Sequence, residues 1–471
     1  PRWSTVRPTT GRRSLRQPDN PPPKAYSAES AYVFRFTFHV PLAPCVTILQ
    51  TMPNFSGRFP ALASRDFSIF WVGQFISLIG TWMQNTTQSY LAYRLTGRPL
   101  DLGIIGFAAT LPTLILALPG GVIVEHLDKR KTVIIMQTIM MIQALILAFL
   151  TLTGIIQIWH IMILAFVLGS ANAIEITARQ AMLIELVGKP ALPNAIALQT
   201  TVFNAARVLG PSMTAIVLIL VKDQGEGWAF FFNGISYLFV IVGLFFVNTP
   251  YKQHLAAGEN GKRHMLAEFK EGQRYILGNT SVALIILMAA VIGFFGFPFG
   301  QQIPAVARDV LKQAGDMEPI LKARTSALFI AQGVGALTAS LFISVFSDIK
   351  RKGLLLAVGQ VTFAIVLIGL AFTKSIPLAM GLIAMLGWSI VTQLAMMNTL
   401  IQLAVPDALR GRVFSTYLWA LQGVAPFGSL FIGWVAQTWN VPLAALICGG
   451  VCLLAAVLIH SLNPTFRRNI S

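Results

Sequence analysis

The stretch VFSTYLWALQGVAPFGSLFIGWVAQTWNVPLAALICGGVCLLAAVLIHSLNPTF, residues 413–466, contains no Asp, Glu, Lys or Arg. About 20 apolar residues carry a helix across the hydrocarbon core of a bilayer. The run is therefore long enough for two crossings joined by a turn at QTWNVP, residues 437–442. A soluble globule needs polar side chains to coat its surface, and it has no place for a charge-free run of this length. The rest of the chain follows the same rule, with 55% of its 471 residues hydrophobic and only 11% charged. It reads as a membrane protein.

Further apolar runs of spanning length lie near 67–91, 102–124, 132–153, 155–178, 195–221 and 228–248, and then near 281–304, 325–347, 353–373, 376–402, 413–436 and 441–460. Each is far longer than the roughly 10 residues of a barrel strand, so the expected form is helical. The fold expected is all-α, with twelve transmembrane helices. The segment AYVFRFTFHVPLAPCVTILQ (31–50) is broken by Arg35, Pro41 and Pro44 and is not counted as a span. Residues 1–58 read as an extension without a secretory signal, and Met52 is the expected natural start. Residues 463–471 read as a tail.

Placing the loops alternately on two sides puts 26 of the 35 Lys and Arg residues on the side holding both termini, eight on the other, and Arg207 within a span. The positive-inside rule makes both termini cytoplasmic. The formal net charge of +17 is spread in short clusters between apolar runs, which excludes a basic nucleic-acid-binding domain. Cys45, Cys448 and Cys452 form no disulfide framework, and the last two read as packing residues one helical turn apart. GENGKR (258–263) lacks the spacing of a phosphate-binding loop. With no metal-ligand cluster and no nucleophile constellation, the chain is expected to be neither an enzyme nor a cofactor carrier.

The two halves repeat. LIELVGKPALPNA (183–195) aligns without a gap on LIQLAVPDALRGR (400–412), at an offset of 217 residues, and DKRK (128–131) and DIKRK (348–352) fall at nearly the same offset. A parallel repeat of six spans predicts two six-helix bundles, 59–248 and 281–462, with a substrate path between them. Residues 249–280 join them. Within that linker HMLAEFKEGQRYIL (264–277) gathers Met265, Phe269, Tyr275 and Ile276 near one face, as expected of a helix lying along a membrane surface. VGKPALPNAIA (187–197) and VPDALRGRVFS (405–415) read as matching cytoplasmic turns.

The loop GGVIVEHLDKRK (120–131) resembles the G-x-x-x-D-R-x-x-R-R signature of the major facilitator superfamily, with Gly121, Glu125, His126, Lys129 and Arg130 at the matching places. Glu stands for the usual Asp and His for the first Arg, so fixed positive charge is lost at 126. FSIFWVGQFISLIGTWMQ (67–84), ARQAMLIELV (178–187), LPNAIALQTTVFNAARVLGP (192–211) and GVAPFGSLFIGW (423–434) are similar to its enterobactin-exporter-like and macrolide-efflux-like branch, the transmembrane secretion effectors. The resemblance implies a proton-coupled exporter of a small amphipathic molecule in a bacterial inner membrane. The expected partners are substrate, protons and lipid, and the expected state is a monomer. An importer or uniporter of the same fold, and a non-transporting scaffold or sensor, stay open as alternatives.

Charge inside a bilayer is costly and marks function by default. Glu175 and Arg207 are the two ionisable groups that stand out within spans, expected to couple protons by direct pairing or by exchange of partners. A static pair of Glu175 with Arg179 is the structural alternative. Gly210 and Pro211 form a thin copy of the family's fifth-span glycine-proline motif, read as a hinge or a packing kink. Gln84, Asn85, Gln88, Asn204 and Gln393 are cavity candidates, and Trp388, Trp419, Phe294 and Phe297 are aromatic ones. Gly121, Glu125, Asp128, Arg130, Asp348, Arg351, Asp407, Arg410 and Arg412 compose a candidate cytoplasmic gate, with a purely topogenic role equally open.

Overall fold

The computed structural model describes residues 59–125, 127–221, 224–247, 261–345 and 351–462. The extension, Cys45, Met52, His126, Asp348 and the tail lie outside the described residues. Every regular element among the described residues is helical.

Helix α1 (Arg65–Thr96) starts where the Ser64 hydroxyl accepts the Phe67 amide at 3.3 Å, satisfying one orphan donor of the first turn. It stops at Gly97, whose φ of 61° is the left-handed conformation that ends helices at low cost to glycine. Helix α2 (Pro99–Glu125) follows at once. Helix α3 (Lys129–Leu152) is capped by Asp128, whose Oδ1 accepts the Lys131 amide at 3.2 Å.

Helix α4 (Ile158–Leu220) corrects the expected loop between the fourth and fifth spans. Helical backbone runs through VGKPALPNAIA with one interruption, at Gly188, where φ is 71° and ψ is 168°. Pro190 sits in the first turn after the break, where a missing amide costs no hydrogen bond. The helical run is therefore interrupted at a single glycine. Helix α5 (Gly225–Phe245) closes the first half.

In the second half, α6 (Gly261–Gly278) precedes α7 (Thr280–Val291). From Ile292 to Val310 the backbone passes through π and 3-10 turns around Pro298 and Pro304, prolines that break the regular ladder. Helices α8 (Glu318–Val345), α9 (Lys352–Phe372) and α10 (Ile376–Ala404) follow. The VPDALRGRVFS stretch is also not a turn: only Val405 and Pro406 leave the helix, and α11 (Asp407–Leu418) begins at once. Its break falls at Val405, the repeat counterpart of Gly188. Helices α12 (Ala425–Thr438) and α13 (Val441–Leu462) meet at Trp439–Asn440 within QTWNVP, where the Asn440 side chain accepts the Leu443 amide at 2.7 Å.

Ten described helical runs are long and apolar enough to cross a membrane, one of them being Ile158–Leu218 with the Gly188 break inside it. The 32-residue α1 is not among the ten because its polar run QNTTQ lowers its hydropathy. In the first half α1 packs on α4 and α5, α2 on α4, and α3 on α4 and α5. In the second, α9 packs on α10 and α13, and α8 on α10. The halves meet mainly through two helix pairs, α4 with α8 and α2 with α12. Small residues permit this approach. A Cβ on Gly103 would lie 2.5 Å from the Ser429 carbonyl oxygen and 3.0 Å from the Gly433 Cα, and one on Gly333 would meet the Arg207 carbonyl.

Candidate functional site

The seam between the halves is where polar side chains of distant sequence converge, and they gather at the end where α1 finishes. Glu226, in the first turn of α5, is 1% exposed, and its Oε1 lies 3.1 Å from Arg94 Nη1 and 3.0 Å from Lys322 Nζ. The helix N-terminus favours the carboxylate. Both contacts act as charge attraction rather than aligned hydrogen bonds. Lys322 belongs to α8, so one acid of the first half holds a buried cation of the second. Beside it the Tyr90 hydroxyl donates to Glu318 and the Tyr93 hydroxyl to Asp309, again across the halves. Gln302 Nε2 donates to the Pro99 carbonyl at 3.2 Å.

No motif in the sequence singles out this cluster. Its members sit at span ends, where charge needs no special reason. The available signal was the poverty of that side in basic residues, which makes Arg94 and Lys322 conspicuous beside Glu226, Asp309 and Glu318. Arg324 fixes the loop below: it makes a two-pronged contact with Asp316 at 2.6 and 2.8 Å and donates to the carbonyls of Ala307 at 3.0 Å and Leu311 at 2.8 Å. Those bonds hold the Asp316 carboxyl below the usual carboxylate range, the Arg324 hydrogen bond first and the Gln313 amide second.

At mid-depth the predicted residues separate. Glu175, 2% exposed, lies 3.1 Å from Arg179 Nε and accepts Gln137 Nε2 at 3.2 Å. Arg207 instead stacks over the Trp82 ring at 5.1 Å, and Trp82 in turn meets Phe203 edge-on. The structure thus holds Glu175 with Arg179 and does not bring it to Arg207. Gln84 is fully buried, donating to Gln143 at 3.1 Å and accepting from Asn233 at 2.6 Å, and so it ties α1 to α3 and α5. Gln88 is its neighbour in that network at 3.4 Å. Asn204 bonds the Thr200 carbonyl in its own helix. Gln393 donates to the Gly359 carbonyl at 3.3 Å, inside the second half, where it lines a small cavity with Gln360, Phe363 and Cys452. Asn85 alone of these five is exposed. It shares a helix face with Trp82 and Ser89, whose hydroxyl meets Gln301 Oε1 of the second half at 3.4 Å.

Gly210 lets α4 lie against α1: an added Cβ would be 2.8 Å from the Met83 amide nitrogen and 2.9 Å from the Ile79 carbonyl. The backbone stays helical at Gly210 and Pro211, and the break is at Gly188. Of the aromatic candidates, Phe294 packs against Phe295 and Phe431, while Phe297 and Trp419 are exposed and Trp388 is half-buried.

At the opposite end, where α4 breaks at Gly188, Lys129 pairs with Glu185 at 2.6 Å and Arg130 donates to the Phe245 carbonyl at 3.1 Å. Arg410 donates to the Gln402 carbonyl at 3.2 Å, and Arg412 pairs with Glu271 on α6. Arg351 is exposed at the start of α9. Gly121 and Glu125 fall in the last turns of α2 and Asp407 opens α11, each described in backbone only. Helix α6 docks on the α10–α11 junction through Tyr275, which donates to the Ala404 carbonyl at 3.0 Å, and Gln273, which donates to Thr416 at 2.8 Å.

The model of the transmembrane secretion effector family matches residues 56–467. The multidrug efflux pump Tap of Mycolicibacterium fortuitum is 23% identical over 74% of this chain and 83% of its own. Macrolide efflux protein A of Streptococcus pyogenes is 20% identical over 84% of this chain and 96% of its own. The crystal structure of the nucleoside transporter NupG (D323A mutant) superposes with a TM-score of 0.65, at 12% identity, covering 84% of this chain and all of NupG, which speaks to the fold. With nearly the whole length matched, the chain belongs to the transmembrane secretion effector family of the major facilitator superfamily.

Proposed function

We propose that this membrane transporter is a proton-coupled exporter of small amphipathic molecules, working by alternating access between two six-helix bundles. The observation carrying this is the asymmetry of the seam. Among the described residues, charged and hydrogen-bonded contacts cross between the halves at the Thr96 end, whereas the ion pairs Lys129–Glu185 and Arg412–Glu271 at the Gly188 end each lie within one half. A pathway sealed at one end by groups that can part is what alternating access requires. Counting the two arms of α4 separately and adding α1 to the other runs supports twelve spans. The excess of Lys and Arg supports a cytoplasmic Gly188 end, with both termini on that side.

Efflux-pump relatives support export. Under this reading Glu175 is the proton carrier, with Arg179 as its partner in the present conformation. In the proposed cycle Glu175 parts from Arg179 to take up the proton and returns to it when the proton leaves. Everted vesicles carrying the protein should accumulate an amphipathic dye, fluorescein or ethidium, when the interior is acid and lose it on adding a protonophore. Glu175→Gln should abolish the gradient dependence. Accumulation indifferent to the gradient, or full gradient-driven accumulation by Glu175→Gln, contradicts the coupling.

A further inference from the structure

Arg94, Arg179, Lys322 and Arg324 each hold a carboxylate within 3.1 Å. Arg207 differs. It forms no ion pair with an acid among the described residues, and its guanidinium lies over the face of Trp82. It lies two to three residues past the middle of the arm that follows Gly188, about 4 Å along the axis, too deep for its side chain to reach the head groups. Half-buried here, its guanidinium offers five donors in a rigid fork suited to carboxylate or phosphate, and an aromatic face satisfies none of them fully.

The position is at the seam: the Arg207 carbonyl backs onto Gly333 of α8, while its side chain reaches toward α1. The surface leading to it is apolar and open. Ile196 is 50% and Phe203 43% exposed, and with Thr200 they run along the face of α4 that ends at Arg207. One turn beyond Trp82, exposed Asn85 adds an amide.

We infer that Arg207 is the binding site for an anionic group, and that the transported molecules are amphipathic acids whose apolar body lies along Ile196 and Phe203. This rests on the transporter reading and names its substrate class. The charge-assisted bonds an acid makes here are shorter and stronger than neutral ones.

The test uses the full chain in phosphatidylcholine nanodiscs, with fluorescein as an aromatic anion and ethidium as an aromatic cation, followed by fluorescence anisotropy. Fluorescein should bind, and Arg207→Gln should weaken it by about tenfold or more. Arg207→Lys should weaken it less, and ethidium should bind no worse to either variant. Thermal unfolding of Arg207→Lys near that of the parent separates loss of the site from loss of the fold. No fluorescein binding, tighter ethidium binding by the parent, or equal fluorescein binding by Arg207→Gln overturns the inference. So does displacement of the dye by phosphatidylglycerol, which would assign the cation to lipid phosphate. Efflux of ethidium without fluorescein binding would sink this inference and leave the exporter standing. Arg207-dependent fluorescein binding without flux of either dye would do the reverse.

Discussion

Glu226→Gln removes one negative charge from the point where the halves are held together and leaves the shape almost unchanged. Lys322 Nζ at 3.0 Å is 9% exposed in its side chain and Glu226 1%, so this contact is buried. Arg94 at 3.1 Å is 29% exposed and partly screened. Stranding one partner of a buried ion pair costs about 3–5 kcal/mol. Neither contact is an aligned hydrogen bond, and the Gln carbonyl still accepts from one cation, which brings the expected cost to about 2 kcal/mol. At 1.4 kcal/mol per tenfold, the ratio of the closed to the open arrangement of this end should fall about 30-fold. Spin labels at Leu95 and Met317, exposed positions flanking the cluster on opposite halves, report it directly. The parent should show one short distance, and Glu226→Gln should add or shift to a longer one. Adding Lys322→Met, which replaces the stranded charge by an apolar chain, should restore much of the short population. A distance distribution unchanged in a folded Glu226→Gln protein would refute the assignment of this cluster as the lock between the halves.

A second expectation concerns pH. The Asp316 carboxyl is held below its usual range of about 3.9, so its contribution to order in the 311–317 loop is complete above that value and fades as pH falls through the lower folded-state value. Hydrogen exchange in this loop should therefore stay slow down to about pH 4 and quicken below it, while Asp316→Asn should exchange fast at neutral pH and lose the acid-dependent step. Third, Gly103→Val forces a side chain into the Ser429 carbonyl and Gly433 backbone, which cannot yield as a rotamer can. A thermal-shift assay should register a loss of about 1–3 kcal/mol, larger than for Gly450→Val, where an added Cβ meets nothing within 4 Å.

Composition and the 3.6-residue period made the helices legible, because a bilayer admits few alternatives to helix for a long apolar run. They could not show the form of the joins. VGKPALPNAIA and VPDALRGRVFS carry the Gly and Pro of ordinary loops, yet helices enter and leave them almost at once. A single left-handed glycine interrupts the helical run, and a proline at a helix start loses no bond. The internal repeat was the better guide, since the two breaks occupy the same place in it. The match follows from register, not from local propensity.

The site was legible only in part, for a physical reason that also separates its two halves. A polar side chain inside a span announces itself because burial is costly, so Gln84, Glu175 and Arg207 were conspicuous. What each one bonds to depends on which helices touch. Gln84 turned inward to Gln143 and Asn233, and Glu175 to Gln137 and Arg179, bonds that brace the first half. The contacts between the halves involve Tyr90, Tyr93, Arg94, Glu226 and Lys322, which lie near span ends where the sequence gives no sign of burial. The cost of burial therefore points to groups bonded within one half, whereas the groups joining the halves lie where parting them exposes charge to water and is correspondingly cheap. A contact meant to open in every cycle belongs at that boundary. Arg207 departs from both patterns: it is deep, and no carboxylate among the described residues compensates it. The Trp82 face and the partial exposure of Arg207 leave its donors available, which is the reason to look for its partner in the transported molecule.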